Sequence, residues 1–359
     1  RHFKRVGAKV CTVGDMLSVD GGFTNMRDEK VGTDIGLKLS AGFDRIAAQI
    51  SLDNHAKAQR LRGALGADVA FRKTPDGKTL ALVNFNKSRF HVGDTLFMVH
   101  PSTVLYSKNH LEVHDFAISS GSQRVLVSGT GSDNANDSLT AHLSNVNVNY
   151  ILNLVNFHSV EFSGAASGTA SVKGLFASPD VTAALRVDRF KFIEGRLGTL
   201  RANVGWKLSE GQINIKGVTN DTIQGASGLI PSNTFIDGYV STKHHYIDLG
   251  MKLDNTRAEF LGTLCSSFLE NVDLRGNGNL RLWGDLSKLN LTGDIVTDGM
   301  MTIKPTGVRY QVNRGKVHFI ENEIQLPGDT IIDEYGNRGL VTGAIHHRHI
   351  SHITTDIAA

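Results

Sequence analysis

The chain has 359 residues, of which 40% are hydrophobic and 20% charged, and this composition excludes a disordered polyelectrolyte. A formal net charge of +3 is far below that of a typical nucleic-acid-binding domain, and two cysteines exclude both a disulfide scaffold and a zinc site built from cysteine. The 38 glycines and only 6 prolines indicate many tight turns between short elements, which is typical of an all-β chain.

Apolar residues at every second position recur along the chain. The alternation is found in residues 35–39, 213–215, 247–253 and 280–282. A period of two places apolar side chains on one face of a strand and polar ones on the other, so it predicts half-buried strands. Turn sequences in 74–78, 209–212 and 334–339 predict three hairpins. Long apolar runs are nearly absent, which argues against a doubly wound α/β fold.

Two segments have helical rather than alternating periodicity. Apolar residues at helical spacing predict a helix over 257–270, and a shorter helix is predicted over 148–157. Residues 55–65 fit neither pattern clearly. In a β-rich chain, such amphipathic helices most simply lie across an apolar sheet face or plug an open end. No segment reaches the roughly 18 apolar residues that a bilayer-spanning helix needs.

One internal repeat stands out. Residues 168–185 and 278–295 align at an offset of 110 without a gap. Gly168 coincides with Gly278 and Gly174 with Gly284, and apolar residues coincide at mostly alternate positions. The repeat predicts a strand, a tight turn and a second strand, with glycine allowing neighbouring strands to pack and curl. Repetition of such hairpins predicts an elongated sheet.

The repeated pattern is G-x-[AL]-x-[VL]-x-G, then a turn, then [VL]-x-[AG]-x-[LI], and it resembles the repeat of TamB and AsmA-like envelope proteins. Residues 333–346 are similar to a segment of TamB proteins of Bacteroides-type bacteria, and 137–168 and 195–217 also fit the repeat style. The resemblance extends from about residue 70 onwards, and the first 70 residues match least.

The resemblance implies a fold and a cellular setting. The expected fold is an all-β, mostly antiparallel, elongated sheet curved like a taco shell, with an apolar concave face and one or two short helices. Residues 1–359 would be a fragment of one repeat domain, with softer divisions into 1–145, 146–273 (ending in the 257–270 helix) and a TamB C-terminal-like segment, 274–359. Family members lie in the periplasm of Gram-negative bacteria, anchored in the inner membrane by an N-terminal segment that this chain lacks.

The resemblance also implies a function. The family is credited with conducting phospholipid between the membranes and with assembling outer-membrane or autotransporter β-proteins, together with a TamA-like outer-membrane β-barrel. A bare 16-carbon acyl chain costs about 12 kcal/mol to expose to water, which an apolar trough would offset. We predict that the following residues line such a lipid groove: Val172, Leu185, Val187, Phe190, Phe192, Ile213, Ile215, Leu280, Leu282, Leu291 and Ile295. The alternative for each is an ordinary sandwich core.

Other candidate sites are weaker. His110, Glu112 and His114 would share one face of a strand and could ligate a metal, but a solvated strand face has the same pattern. The histidine cluster in 346–352 includes Arg348, which would repel a cation, and the acidic stretch 133–137 lacks the glycine and glutamate of a calcium loop. No hydrolase, zincin or phosphate-loop motif occurs. We therefore expect no enzyme activity and no cofactor. Lipid conduction is the leading hypothesis and assembly of outer-membrane β-proteins is the alternative. A third hypothesis is a β-solenoid adhesin or polysaccharide enzyme with a closed core.

Overall fold

A computed structural model describes residues 2–28, 31–55, 60–75, 77–154, 161–225, 228–349 and 351–358. Within these residues the chain forms 24 strands and two short helices. All described strand pairs are antiparallel, and the strands belong to one 24-stranded sheet. The predicted all-β, antiparallel class is therefore confirmed.

Backbone contacts divide the chain into two units. The N-terminal unit comprises Arg1–Asn145 and Thr169–Asp180, and the C-terminal unit comprises Val146–Gly168 and Val181–Ala359. The expected division at residue 273 falls inside a continuous strand, Leu269–Asp285.

The N-terminal unit contains the first twelve strands, apart from the end of the twelfth. They are β1 (His2–Val13), β2 (Met16–Asp28), β3 (Val31–Ala41), β4 (Arg45–Asp53), β5 (Leu61–Lys73), β6 (Thr79–Phe85), β7 (Ser88–Val92), β8 (Thr95–Val99), β9 (Ser102–Ser107), β10 (His110–Ser120), β11 (Gln123–Ser132) and β12 (Ser138–Asn147). β1 to β5 pair in chain order. β5 then pairs with both β6 and β7, which lead through β9 and β8 to β10.

The C-terminal unit is built mainly from a meander of long strands. They are β14 (Asp180–Phe192), β15 (Gly195–Lys207), β16 (Gln212–Gly225), β17 (Gly228–Ser241), β18 (Tyr246–Arg257), β19 (Leu269–Asp285), β20 (Lys288–Ile303), β21 (Val308–Ile320), β22 (Glu323–Asp333), β23 (Arg338–Arg348) and β24 (Ser351–Ala358). β13 (Phe162–Lys173) contributes residues to both units. From β15 to β24, each strand pairs with the next.

The three predicted hairpins are confirmed. Lys73 lies opposite Thr79 on β5 and β6, and Lys207 lies opposite Gln212 on β15 and β16. The third turn connects β22 to β23, where the Asp333 amide donates to the Asn337 carbonyl. Alternation bounded by turn residues therefore located strand ends correctly at all three sites.

The predicted helix over 257–270 is wrong for most of its length. The helix α2 spans only Phe260–Leu264, because Arg257 ends β18 and Leu269 begins β19. Pairing with neighbouring strands overrides the helical periodicity at both ends: the Ala258 amide donates to the Leu274 carbonyl, and Leu269 lies opposite Ile303.

The shorter predicted helix is present as α1 (Val148–Leu154), and the remainder of the predicted 148–157 segment lies outside the described residues. In the unclear segment 55–65, residues 56–59 are likewise outside the described residues and β5 begins at Leu61. Both cysteines are free. Cys265 is buried, whereas Cys11 on β1 is exposed.

The repeated hairpins share a backbone feature. Gly168 and Gly278 have φ values of +146° and +147°, a backbone conformation that residues other than glycine rarely adopt. A Cβ at Gly168 would lie 2.1 Å from the Ala184 carbonyl oxygen, and one at Gly278 would lie 2.2 Å from that of Asp294. Ala184 and Asp294 are themselves 110 residues apart, so the repeat in sequence corresponds to a repeated close approach of two strands.

The hydrophobic core is concentrated in the C-terminal unit, which contains three clusters of buried residues. The first lies between β18 and β23, the second between β16 and β20, and the third beside α1, β13 and β14. The helix α2 packs against both β15 and β19, which are four strands apart in the meander. This short helix therefore covers part of the apolar face, as expected for a helix in a β-rich chain.

Candidate functional site

Apolar side chains of the N-terminal unit lie on one face of β1 to β6. Leu37, Ile50 and Leu65 are direct cross-strand neighbours on β3, β4 and β5. A parallel row crosses six strands through Val10, Val19, Leu39, Ala48, Ala67 and Phe85. Paired residues of antiparallel strands point to the same side of a sheet, so these rows form one continuous surface, here called the N-terminal apolar face.

This face is open to solvent. The side chains of Leu37, Ile50 and Leu65 are 37%, 51% and 37% exposed, and that of Val10 is 60% exposed. Among the described residues, none before Ser88 is buried. Isolated exposed apolar residues are common on soluble proteins, but a contiguous row of large ones indicates a surface that binds something.

The opposite face of the same strands is polar. Lys38 lies 4.0 Å from Asp20 across β2 and β3, and Thr24 donates a hydrogen bond of 2.6 Å to Asp34. At the end of β4, hydrogen bonds from Arg60 hold the pKa of Asp53 well below its usual value. Several polar groups of this face thus pair with one another, whereas the side chains of the opposite face are apolar, so the sheet is amphipathic.

The predicted lipid-groove residues occupy a different environment. Six of them are buried in the clusters of the C-terminal unit: Val187, Phe190, Ile213, Leu280, Leu282 and Ile295. Four are half-buried in the same unit: Leu185, Phe192, Ile215 and Leu291. Val172, also half-buried, lies in the part of β13 that belongs to the N-terminal unit.

The register brings several of these residues together on one face. Ile215 faces Gly238, Gly238 faces Leu249, Leu249 faces Leu282, and Leu282 faces Leu291. Leu282 is only 4% exposed, so this face is a packed core at that point. The one-faced arrangement agrees with the sequence pattern, whereas the assignment of these side chains to a lipid groove stays a prediction.

The histidine candidates form surface pairs. Glu112 and His114 lie on β10 with a carboxylate oxygen 3.2 Å from the imidazole Nε2, and His346 lies 3.4 Å from Glu323. His347 is buried, and this burial lowers the pKa of its imidazole. In the part of the chain that the structure describes, no group of three or more His, Cys, Asp or Glu side chains is placed to hold a metal ion.

The sequence carries a signal for the N-terminal apolar face in its first 70 residues. Alternation at Ile35, Leu37 and Leu39 predicted an amphipathic strand, and this prediction is correct. The lipid-groove prediction follows the family resemblance, which begins only at about residue 70. Alternation identifies the apolar face of a strand but does not reveal whether another layer covers it.

Comparison of the chain with family models, with curated proteins and with solved structures finds no match. The resemblance to TamB therefore rests on the sequence pattern alone. Among the described residues, neither helix has the length and apolar character needed to cross a bilayer. The amphipathic sheet is thus the feature from which function is inferred.

Proposed function

We propose that this protein is a non-enzymatic, TamB-like envelope protein that shields and conducts phospholipid acyl chains along an apolar sheet face. The observation that carries the proposal is the solvent-open N-terminal apolar face, with a polar face of cross-strand pairs behind it. An acyl chain is the simplest partner for such a face, since it offers apolar surface and requires no hydrogen bonds in return.

The dimensions of the face support this partner. The row from Val10 to Phe85 crosses six strands, and at about 4.8 Å between neighbouring strands it extends for about 24 Å. Burying even half of a 16-carbon chain on such a surface would contribute about 6 kcal/mol at about 0.8 kcal/mol per methylene. Such apolar burial favours the acyl chain whatever the head group, so the face needs no site specific for the head group.

The cellular setting in the proposal follows from the family resemblance alone. It comprises the periplasm of a Gram-negative bacterium, anchoring at the inner membrane, and a TamA-like β-barrel as partner at the outer membrane. Within this setting, phospholipid would move between the two membranes.

Photo-crosslinking tests the proposal directly. The photoreactive residue p-benzoylphenylalanine replaces Ile50 on the apolar face or, as the matched control, Gln49 on the polar face of the same strand. After expression in Gram-negative cells and irradiation, mass spectrometry should detect phospholipid adducts at position 50 but not at position 49. Equal labelling at both positions, or no lipid at either, would contradict the proposal.

A second candidate function is the assembly of outer-membrane β-proteins by strand addition at a sheet edge. It is favoured by β1, which pairs with β2, while no pairing at its other edge is present among the described residues. A photoreactive residue at Lys9 of β1 should then capture an unfolded β-barrel polypeptide rather than lipid. Capture of lipid alone at this position would exclude strand addition there.

A further inference from the structure

Four charged side chains form a network where the connection between β18 and β19 leaves the sheet. The Asp221 side chain is only 6% exposed and pairs with two guanidinium groups: its Oδ1 accepts a hydrogen bond of 2.7 Å from Arg196 Nη2, and its Oδ2 lies 3.3 Å from Arg257 Nε as an ion pair without a hydrogen bond. Glu259 accepts from the same two residues, at 3.0 Å from Arg257 Nη1 and 3.3 Å from the Arg196 backbone nitrogen. The network contains two cations and two carboxylates and is therefore neutral.

The carboxylate of Glu259 is attached to an apolar segment. Phe260 and Leu261 follow it in the chain and pack against the cluster that contains Leu274 and Leu280. Phe260 also makes an edge-to-face contact with Phe192, with ring centroids 5.2 Å apart. A carboxylate that pairs with the Arg257 guanidinium, accepts from the Arg196 backbone N–H and continues into a buried apolar segment has the chemistry of an anionic amphiphile.

The segment that carries these groups is weakly held by its own secondary structure. α2 has five residues, and Glu259 at its N-cap makes no side-chain capping bond. Isolated helices shorter than about 12 residues are marginal in water, so α2 depends on its contacts with the sheet. Arg257 is the last paired residue of β18, opposite Arg275, and Leu269 is the first paired residue of β19, opposite Ile303. Departure of residues 259–268 therefore leaves these registers in place and breaks the two hydrogen bonds that Lys304 donates to the carbonyls of Ser266 and Phe268.

We propose that the Arg257 guanidinium, the Arg196 backbone N–H and the apolar surface beneath Phe260 form a binding site for an anionic amphiphile, and that residues 259–268 occupy this site as an internal substitute for the ligand. Displacement of Glu259 would leave a net charge of +1, which one carboxylate or phosphodiester neutralises, while the acyl chain replaces Phe260 and Leu261. The inference rests on the proposed function only in taking a lipid as ligand, because its site lies in the C-terminal unit.

The first test removes the internal competitor. Glu259→Gln should tighten binding of 11-(dansylamino)undecanoic acid about tenfold, equivalent to about 1.4 kcal/mol, because the ligand no longer competes with a carboxylate. Glu210→Gln is the matched control, since Glu210 pairs with Lys207 on the surface of the same unit. Fluorescence titration measures both variants. Equal affinities for Glu259→Gln and Glu210→Gln would overturn the proposal.

The second test addresses the charge and the source of the ligand. The methyl ester of the probe should bind less tightly than the acid, and Arg257→Gln should abolish this difference, because Arg257 supplies the guanidinium that pairs with the carboxylate. Arg196→Gln is the matched control and should keep the difference, because the Arg196 guanidinium pairs with Asp221 and only its backbone N–H reaches Glu259. Displacement of the probe by oleate or by lysophosphatidylglycerol identifies a fatty acid or a lipid phosphate as the ligand. Displacement by neither, or an ester that binds as well as the acid, would overturn the proposal.

Hydrogen exchange provides a readout of the displaced segment. The amides of Cys265 and Phe268 are hydrogen-bonded within the segment and should exchange faster when ligand is bound. Unchanged exchange at saturating probe would contradict displacement. If position 50 yields no lipid adduct while Glu259→Gln still tightens binding, the proposed function fails and this inference stands.

Discussion

The two units have the same sequence pattern but different burial. Ile50 in β4 and Leu282 in β19 both belong to rows of apolar side chains on one face of an antiparallel sheet. Ile50 is 51% exposed, whereas Leu282 is 4% exposed and belongs to a core cluster. The comparison teaches that alternation determines which side of a strand is apolar, whereas covering layers determine whether that side is a core or a binding surface.

The largest expected effect comes from a charge in the C-terminal core. Leu282→Asp should destabilise this unit by about 4 kcal/mol, because it removes a buried side chain and adds an unpaired carboxylate. Both tryptophans of the chain, Trp206 and Trp283, lie in this unit, so the loss of structure can be measured by denaturation monitored by tryptophan fluorescence. Arg281→Asp, on the opposite face of the same strand, is a control for strand position. A smaller loss for Leu282→Asp than for Arg281→Asp would remove the distinction between the units.

The next effect tests the backbone of the repeated hairpins. Gly278→Ala should cost about 2 kcal/mol, because its Cβ would meet the Asp294 carbonyl oxygen at 2.2 Å in a backbone conformation unfavourable for alanine. Gly276→Ala is the matched control, since its Cβ would make an ordinary contact 3.6 Å from Ile295. Urea denaturation monitored by tryptophan fluorescence measures both variants. Equal midpoints would show that the close approach at Gly278 does not matter for stability.

An intermediate effect is expected on the N-terminal apolar face. Ile50→Asp should lower stability by no more than about 1 kcal/mol, because half of the side chain is already in water. The same change should abolish retention of phospholipid by the purified protein, measured by lipid extraction and mass spectrometry. Gln49→Asp should retain the lipid. A large loss of stability in Ile50→Asp would mean that this face is a core, and it would contradict the difference in burial between the two units.

Much of the fold could be predicted from the sequence, because strands and hairpins depend on local signals. Alternation at Ile35–Leu39 and the turn at 209–212 needed only period and turn chemistry. The prediction of a helix over 257–270 was wrong because Leu269 pairs with Ile303, a partner that no local pattern specifies. The site was predicted less well, since the burial of Leu282 and the exposure of Ile50 depend on which elements cover each face, and similar alternating patterns occur in both.

The smallest effect concerns the polar face behind the N-terminal apolar face. Arg60 holds the pKa of Asp53 below its unfolded value, so the interaction stabilises the folded state above the unfolded pKa of about 4 and is lost as the pH falls towards the folded one. Arg60→Gln should therefore lower the melting temperature by about 1 °C at pH 7, because both side chains are partly in water, and by less at pH 2.5. Lys38→Gln, whose amine is 4.0 Å from Asp20, should change neither value. Thermal unfolding followed by circular dichroism at the two pH values checks the sign: a larger effect of Arg60→Gln at pH 2.5 than at pH 7 would contradict the ionised Asp53 on which the polarity of this face depends.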